Sequence, residues 1–595
     1  MSIKRFSIAF TAVLIATIAI LAQEASFKIE PSAARLRQHV SYLASDTLDG
    51  RRTGTTGANE AARYIAGEFS RLGLKPGMQN GRPALKLSEA MSRYLQTFPY
   101  VAAVELGTVN ELKFSRSSPP RVAQLRLKDE WLPLGFSTNG SFAGSIEFVG
   151  FGITAAEQNY DDYAGVNAKD KIVVALSGTP DGENPHSRFA RYEDVRWKAI
   201  AARNAGAKGL LVVAREQNFN DDRLATLRYD NAGEAGLLVA GISRQAVEDL
   251  FGTPSLAELE KIAAAKTQSS IQPVGGIYSF SVSVDRREVP AYNVIGVLEG
   301  SHPTLKNETI VIGAHYDHLG RGGQGSLAQK GGEIHHGADD NASGTAGVLE
   351  LARIFTTVPF RPKRTIVFMA FGGEEEGLLG SKYYVNHPVF PLTNTVAMIN
   401  MDMIGRMKDD MLVVGGVGTA KEWREIVNEA NHVQMLSVTP NGTDGRSVKG
   451  MPIVVSSNGQ SIVTAESTRN LSLTLQEDGF GPSDHASFYS KQVPVLFFWT
   501  GTHTDYHKPS DTFDKINYED EARILTLVAK IVRKLDGPNA RPTYAVAKSD
   551  STTRTGGFRV YLGTIPSYGE SKDGLLIDGV REDSPAAKAG LKAGD

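Results

Sequence analysis

Five short β-like runs lie between Tyr292 and Trp499, and four of them end in a cluster of histidine or carboxylate residues. The runs are Tyr292–Leu298, Thr309–Ala314, Thr365–Phe371, Val396–Met401 and Val493–Trp499. They are rich in β-branched and aromatic residues, and helical patterns such as Thr345–Phe355 and Glu519–Leu535 accompany them. This strand–helix alternation predicts an α/β domain built on a doubly wound mixed sheet. In such a sheet, ligands bind beyond the carboxyl ends of the strands. That is where the polar clusters fall.

The remaining organisation follows from length and texture. A chain of 595 residues exceeds one hydrophobic core, so two or three domains are expected. Residues 31–75 carry helical spacing, interrupted by the glycine- and threonine-rich LDGRRTGTTG. From Gly140 to about residue 285 the runs SIEFVGFGI, KIVVALSG and GLLVVA surround the helical DVRWKAIAARNAG, which reads as a self-contained inserted β-rich domain, the alternative being a part of one large α/β domain. The expected limits are 30–139 with 286–538 for the main domain and 140–285 for the insertion. A Pro/Thr/Ser/Lys linker then leads to the C-terminal piece, 556–595.

At the N-terminus, Lys4 and Arg5 precede the uncharged apolar run Phe6–Leu21 and then Ala22. This pattern predicts a secretory signal peptide over residues 1–22. The alternative is an uncleaved anchor, although the run falls slightly short of a bilayer span. With cleavage, the mature protein is expected to be secreted or periplasmic, with no stable membrane insertion. The chain has no cysteine, which excludes thiolate ligands and a thiol nucleophile. Its formal net charge of −2 shows no basic excess, so a nucleic-acid partner is not expected.

The polar clusters are His315-Tyr316-Asp317, Gly337-Ala338-Asp339-Asp340-Asn341, Glu374-Glu375-Glu376, Asp402, and His503 with Tyr506-His507. Singly, each has a structural explanation: a hydrogen-bonded histidine, an Asx cap, or acids at a helix start. Together at one sheet edge, histidines and carboxylates without thiols suit divalent zinc.

These stretches, GAHYDHLG, GADDNASGTAG, FGGEEEGLLGS, NMDMIGR and HTDYHKPSDT, resemble in order the motifs of the co-catalytic two-zinc exopeptidases. That family includes bacterial leucine and broad-specificity aminopeptidases and glutamate carboxypeptidase. The resemblance spans about 200 residues and implies two Zn2+ ions per chain. It implies that Asp340 bridges them, that His315 and Asp402 complete one set of ligands, and that Glu375 and His507 complete the other. Glu374 would be the general base acting on the metal-bound water, and Asp317 would hydrogen-bond the His315 imidazole. Tyr506 would donate to the tetrahedral oxyanion. Alignment of the following Gly377–Ser381 sets this register within the triple glutamate, and a shift by one residue is the alternative. His318, His335, His336 and His503 receive no role, and SDHASFYSKQVPVLFF is read as supporting the site.

The inserted block resembles a protease-associated domain, and GLLIDGVREDSPAAKAGLKAGD resembles the middle of a PDZ domain. The expected activity is removal of N-terminal residues from a peptide or small protein with a free N-terminus. A carboxypeptidase or dipeptidase of the same family is the nearest alternative. A single-zinc glutaminyl cyclase or a non-catalytic receptor-like protein fits the full ligand set less well.

Overall fold

The computed structural model describes residues 30–78, 87–117, 120–182, 187–229, 233–267, 274–323, 325–357, 361–432, 453–457, 460–464, 470–547, 564–566, 577–580 and 585–591. The expected signal peptide lies outside the described residues, as does most of the PDZ-like piece. Of the latter, Thr564–Pro566 and Ile577–Val580 pair antiparallel. No helix among the described residues is long and apolar enough to cross a membrane.

The chain divides into two compact units, one of residues up to Phe98 with Ala291–Asp550, the other of Pro99–Pro290. The first is organised on a mixed sheet. Seven of its nine described strands are β1 (Val284–Leu298), β2 (Thr309–His315), β3 (Thr365–Phe371), β4 (Thr395–Met401), β5 (Met411–Gly415), β6 (Ser472–Leu475) and β7 (Val495–Trp499); Lys75–Pro76 and Leu95–Leu106 both pair with β1. The seven lie in the order β1-β3-β2-β4-β7-β5-β6. The pairs β2–β3, β2–β4 and β4–β7 are parallel, whereas β1–β3 and β5–β7 are antiparallel. After β2 the chain first adds β3 on one side and then β4 on the other. The sheet therefore changes direction beside β2, the point where an open α/β sheet leaves a crevice.

Strand alternation supplies the core. Ile310, Ile312 and Ala314 join one buried apolar cluster and Val311 another, because successive side chains leave opposite faces. Both faces are covered, as strands in a parallel region require. Helices α1 (Ala33–Leu43), α2 (Thr56–Arg71), α3 (Gly344–Thr357) and α5 (Tyr518–Leu535) contribute to the first cluster. Tyr384 and Val385 of α4 (Leu379–Asn386) contribute to the second. Side chains cap the helix starts: Ser32 accepts the Arg35 N–H, Thr55 that of Ala58, and Asn517 that of Asp520.

The second unit has its own sheet. Strands Gly140–Phe148, Ile172–Leu176, Gly209–Val213 and Leu238–Ile242 run parallel to one another. Val274–Val282 pairs antiparallel with Gly140–Phe148 and with Glu111–Ser117, which in turn holds Pro120–Gln124. Trp131–Pro133 closes the other edge. The expected start at residue 140 is therefore too late. Three strands before it hydrogen-bond into this sheet, and the unit begins at Pro99. Their short, polar-flanked runs gave no pattern that tied them to one side or the other.

Candidate metal centre

Each implied ligand leaves the same edge of the first unit's sheet. His315 is the last residue of β2, Glu374 and Glu375 follow β3, Asp402 follows β4, and His507 lies in the loop after β7. Asp340 comes from the turn Ala338–Ser343 that precedes α3. This turn starts at Gly337 with φ of 57°, where a Cβ would stand 2.3 Å from the carbonyl oxygen of Asp340 and 2.6 Å from the His318 ring. Only glycine fits there.

Two hydrogen-bonded ties fix the turn. Asp511 Oδ2 accepts the backbone N–H groups of Asp339 at 2.9 Å and Asp340 at 3.1 Å. Asn341 donates to the Met401 carbonyl at 3.0 Å and accepts the Met403 N–H at 3.2 Å. The Asp340 turn is thus locked both to the end of β4, where Asp402 sits, and to the final loop that carries His507.

The side chains converge around Asp340. His315 Nε2 is 3.4 Å from Asp340 Oδ1 and 3.3 Å from Asp402 Oδ1. His507 Nε2 is 3.1 Å from Asp340 Oδ2 and 3.4 Å from Glu375 Oε2. Ligand atoms bonded tetrahedrally to one zinc at about 2.0–2.2 Å lie about 3.3–3.5 Å apart. The observed spacings are of that size, so the donor set fits the metal. Glu374 Oε2 stands further off, 3.9 Å from His315 Nε2. Potential ligand atoms of His315, Glu374 and Asp402 all lie within 4.8 Å of one another, as do those of His318, Asp340 and Glu375.

The layer behind the ligands aims them. His315 Nδ1 donates to the Asp317 carbonyl at 3.2 Å and His507 Nδ1 to the Gly325 carbonyl at 2.8 Å. Both bonds leave Nε2 as the lone-pair nitrogen facing the cluster. Ser483 Oγ donates to Asp402 Oδ2 at 2.7 Å, which leaves Oδ1 for the site. His318 Nδ1 does the same for Glu375, donating to Oε1 at 2.7 Å.

Charge explains why such a pocket suits a cation. Burial alone would lower the pKa of His315, yet Asp402 and Glu374 push it well up. His507, likewise buried, is raised to about 9 by Glu375 and Asp340. Burial raises the Glu374 carboxyl well above the usual range; His315 opposes this, while Glu375, Asp402 and Asp484 reinforce it. The pocket holds more negative charge than its histidines balance, a condition that divalent ions relieve.

The residues implied by the resemblance are therefore brought together, with three refinements. The Asp317 carboxylate does not bond the His315 ring: Oδ1 is 3.7 Å from Nδ1, and the backbone carbonyl takes that role. The carboxylate instead accepts the Glu374 N–H at 3.1 Å and the Thr53 hydroxyl at 2.8 Å. Glu376 turns away from the cluster to pair with Arg52 at 3.0 Å, so Glu374 and Glu375 are the two that face it. Tyr506 stacks its ring on His507, with centroids 3.9 Å apart.

Two contributors, His318 and Asp511, carried no signal of their own in the sequence. A histidine three residues after His315 looked like many others, and Asp511 in HKPSDT looked like a loop acid. His335 and His336 remain outside the cluster, bonded to Ser326 and the Glu333 carbonyl, and to Asp46 and the Pro509 carbonyl. His503 Nε2 lies 3.2 Å from Asp339 Oδ2, one step behind the site.

Residues 293–451 and 456–532 match the sequence model of Peptidase family M28. A "Probable zinc metalloprotease" of Pyrenophora tritici-repentis is 53% identical over 72 residues, 12% of this chain and 16% of that protein. "Aminopeptidase YwaD" of Bacillus subtilis is 29% identical over 237 residues, 38% of this chain and 41% of that protein. These matches span less than half the length of either relative. Among solved structures, an aminopeptidase from Aneurinibacillus sp. strain AM-1 is 20% identical with a TM-score of 0.45, over 87% of this chain and 96% of that one.

Proposed function

We propose that this chain is a zinc-dependent exopeptidase that hydrolyses N-terminal residues from peptides, a reading supported by the match of residues 293–451 and 456–532 to the model of Peptidase family M28. The observation that carries the reading is the placement of Asp340, which offers Oδ1 to His315 and Oδ2 to His507 at zinc-ligand spacing. On this reading Asp340 would be shared by two ions, with His315 and Asp402 completing the ligands of one and Glu375 and His507 those of the other. Two dications would balance the four carboxylates of Asp340, Glu374, Glu375 and Asp402. When bound, such a pair acidifies the attacking water and polarises the scissile carbonyl.

The chain's own residues supply the proton chemistry. Glu374 stands beside the ligands with its side chain 10% exposed, and its carboxyl is held above the usual range. It takes the proton of the attacking water and returns it to the leaving amine. Asp317 holds the Glu374 backbone N–H, which fixes where the base sits. Tyr506, stacked on His507, is the donor for the oxyanion. The names of the relatives support aminopeptidase action over carboxypeptidase action. The reading also takes the protein to be exported after loss of residues 1–22, and residues 140–285 to belong to a protease-associated domain.

The test compares hydrolysis of leucine anilide and its N-acetylated twin, before and after chelation and with zinc restored. Cleavage of the free-amine compound alone, lost with chelator and regained with zinc, is expected. Cleavage of neither, with activity on C-terminally free peptides instead, would replace the aminopeptidase by a carboxypeptidase or dipeptidase.

A further inference from the structure

The glycine-rich turn around Arg51 lies more than two hundred residues before the matched M28 segment, yet it touches the metal centre at several points. Arg51 is 1% exposed. Its Nε donates to the Tyr316 carbonyl at 2.8 Å, Nη1 to those of Leu43 and His336 at 2.5 and 2.7 Å, and Nη2 to that of Gly337 at 3.0 Å. Tyr316 directly follows the ligand His315, and Gly337 opens the turn that presents Asp340. One guanidinium thereby holds the chain on both sides of the cluster. A planar fork with five donors can do this, whereas an ammonium cannot reach the same set.

Thr53 acts on the next layer. Its hydroxyl donates to Asp317 Oδ2 at 2.8 Å, while Asp317 Oδ1 accepts the Glu374 N–H at 3.1 Å. Between them, Arg52 pairs with Glu376 and draws the third glutamate out of the cluster. The turn cannot shift, because Gly50 is pressed against the chain that it serves. With φ of 70°, a Cβ at Gly50 would stand 2.4 Å from the Gly320 carbonyl oxygen and 2.7 Å from that of His335. The Gly50 and Arg51 carbonyls accept the N–H groups of Gly320 and His318.

We propose that Gly50–Thr53 is a positioning element of the metal centre: Arg51 fixes the backbone beside His315 and before Asp340, and Thr53 sets the carboxylate of Asp317 that holds Glu374 in place. The proposal rests on the two-zinc reading above. It assigns work to a segment outside the matched family region and gives Thr53 an effect on catalysis without contact to substrate.

The experiment uses the full-length, zinc-loaded protein with Thr53→Val, Thr53→Ser and Arg51→Lys. Leucine anilide kinetics give kcat and KM separately, a chromogenic chelator gives zinc affinity by competition, and thermal unfolding monitors the fold. Thr53→Val is expected to lower kcat about 10–100-fold, the usual cost of losing an outer-shell partner of a metal site. KM and the unfolding midpoint should hold, and Thr53→Ser should restore kcat. Arg51→Lys should weaken zinc binding; if it fails to fold, the Thr53 pair still decides. Thr53→Val with unchanged kcat and zinc affinity overturns the proposal. A wild-type protein that takes up no zinc overturns the two-zinc reading instead, so the two failures are distinguishable.

Discussion

His318 Nδ1 lies 2.7 Å from Glu375 Oε1, so one oxygen of this carboxylate is occupied from behind. The other, Oε2, is thereby turned to His507 Nε2, 3.4 Å away. Without that bond the Glu375 side chain would swing among rotamers, and zinc would have to order it on binding. His318→Ala is therefore expected to weaken the more labile zinc about 10–100-fold. Chelator competition on the folded variant checks this, and affinity equal to wild type would remove His318 from the site.

Glu374 and Asp340 should separate by phenotype. Glu374→Gln keeps the volume and the ligand set and removes only the proton acceptor. It is expected to retain zinc and lose about 10²–10⁴ in kcat, the typical contribution of a general base. Asp340→Ala should instead lose metal, and with it the stability that metal binding lends the fold. Metal content by atomic emission, read beside kcat, tells the two apart. Full zinc occupancy in Asp340→Ala would disprove the shared-carboxylate arrangement.

Glu521 sits in α5, fully buried, and neither carboxylate oxygen has a hydrogen-bond partner among the described residues. Burial holds its carboxyl well above the ordinary value, so the folded chain keeps this proton to higher pH than the unfolded chain does. The unfolded chain releases that proton above about pH 4.3. The acid's contribution to stability is then complete below the unfolded pKa and declines as pH rises toward the folded one. Glu521→Leu should stabilise the first unit by about 1–3 kcal/mol near neutral pH, because an unpartnered polar group leaves the core. The gain should shrink at pH 4. Denaturant unfolding at the two pH values measures this; a destabilised variant at pH 7 would show that Glu521 has a partner the geometry does not reveal.

Lys198, on the buried helix Val195–Asn204, donates to the carbonyls of Phe151 and Gly178 at 2.5 and 2.8 Å. Burial outweighs the attraction of Asp162 and lowers its pKa to about 7. Between pH 7 and about 9.5 the unfolded chain binds this proton and the folded chain does not, so stability of the second unit should rise with pH there. Lys198→Met should flatten the rise. Amide exchange in Ile172–Leu176, corrected for the intrinsic pH dependence, reports it.

The sequence by itself determined the strands and the residues that end them. Short, continuously apolar runs bounded by polar clusters suit strands buried on both faces, and β2, β3, β4 and β7 match the expected limits to within two residues. Through the resemblance of five motifs in one order it also pointed to His315, Asp340, Glu375, Asp402 and His507. The tertiary structure decided everything that depends on who stands behind a ligand. Thr53 meets Asp317 across 264 positions of chain, and Asp511 meets Asp340 across 171. No local pattern encodes a contact at such separation. The same holds for the Asp317 carboxylate, which the resemblance directed to His315 and the fold gives to Thr53 and Glu374. It holds for the limits of the second unit too, since Glu111–Ser117 and Trp131–Pro133 join their sheet through partners more than a hundred residues away. Local spacing fixes which face a side chain takes; only the folded sheet fixes which neighbour it meets there.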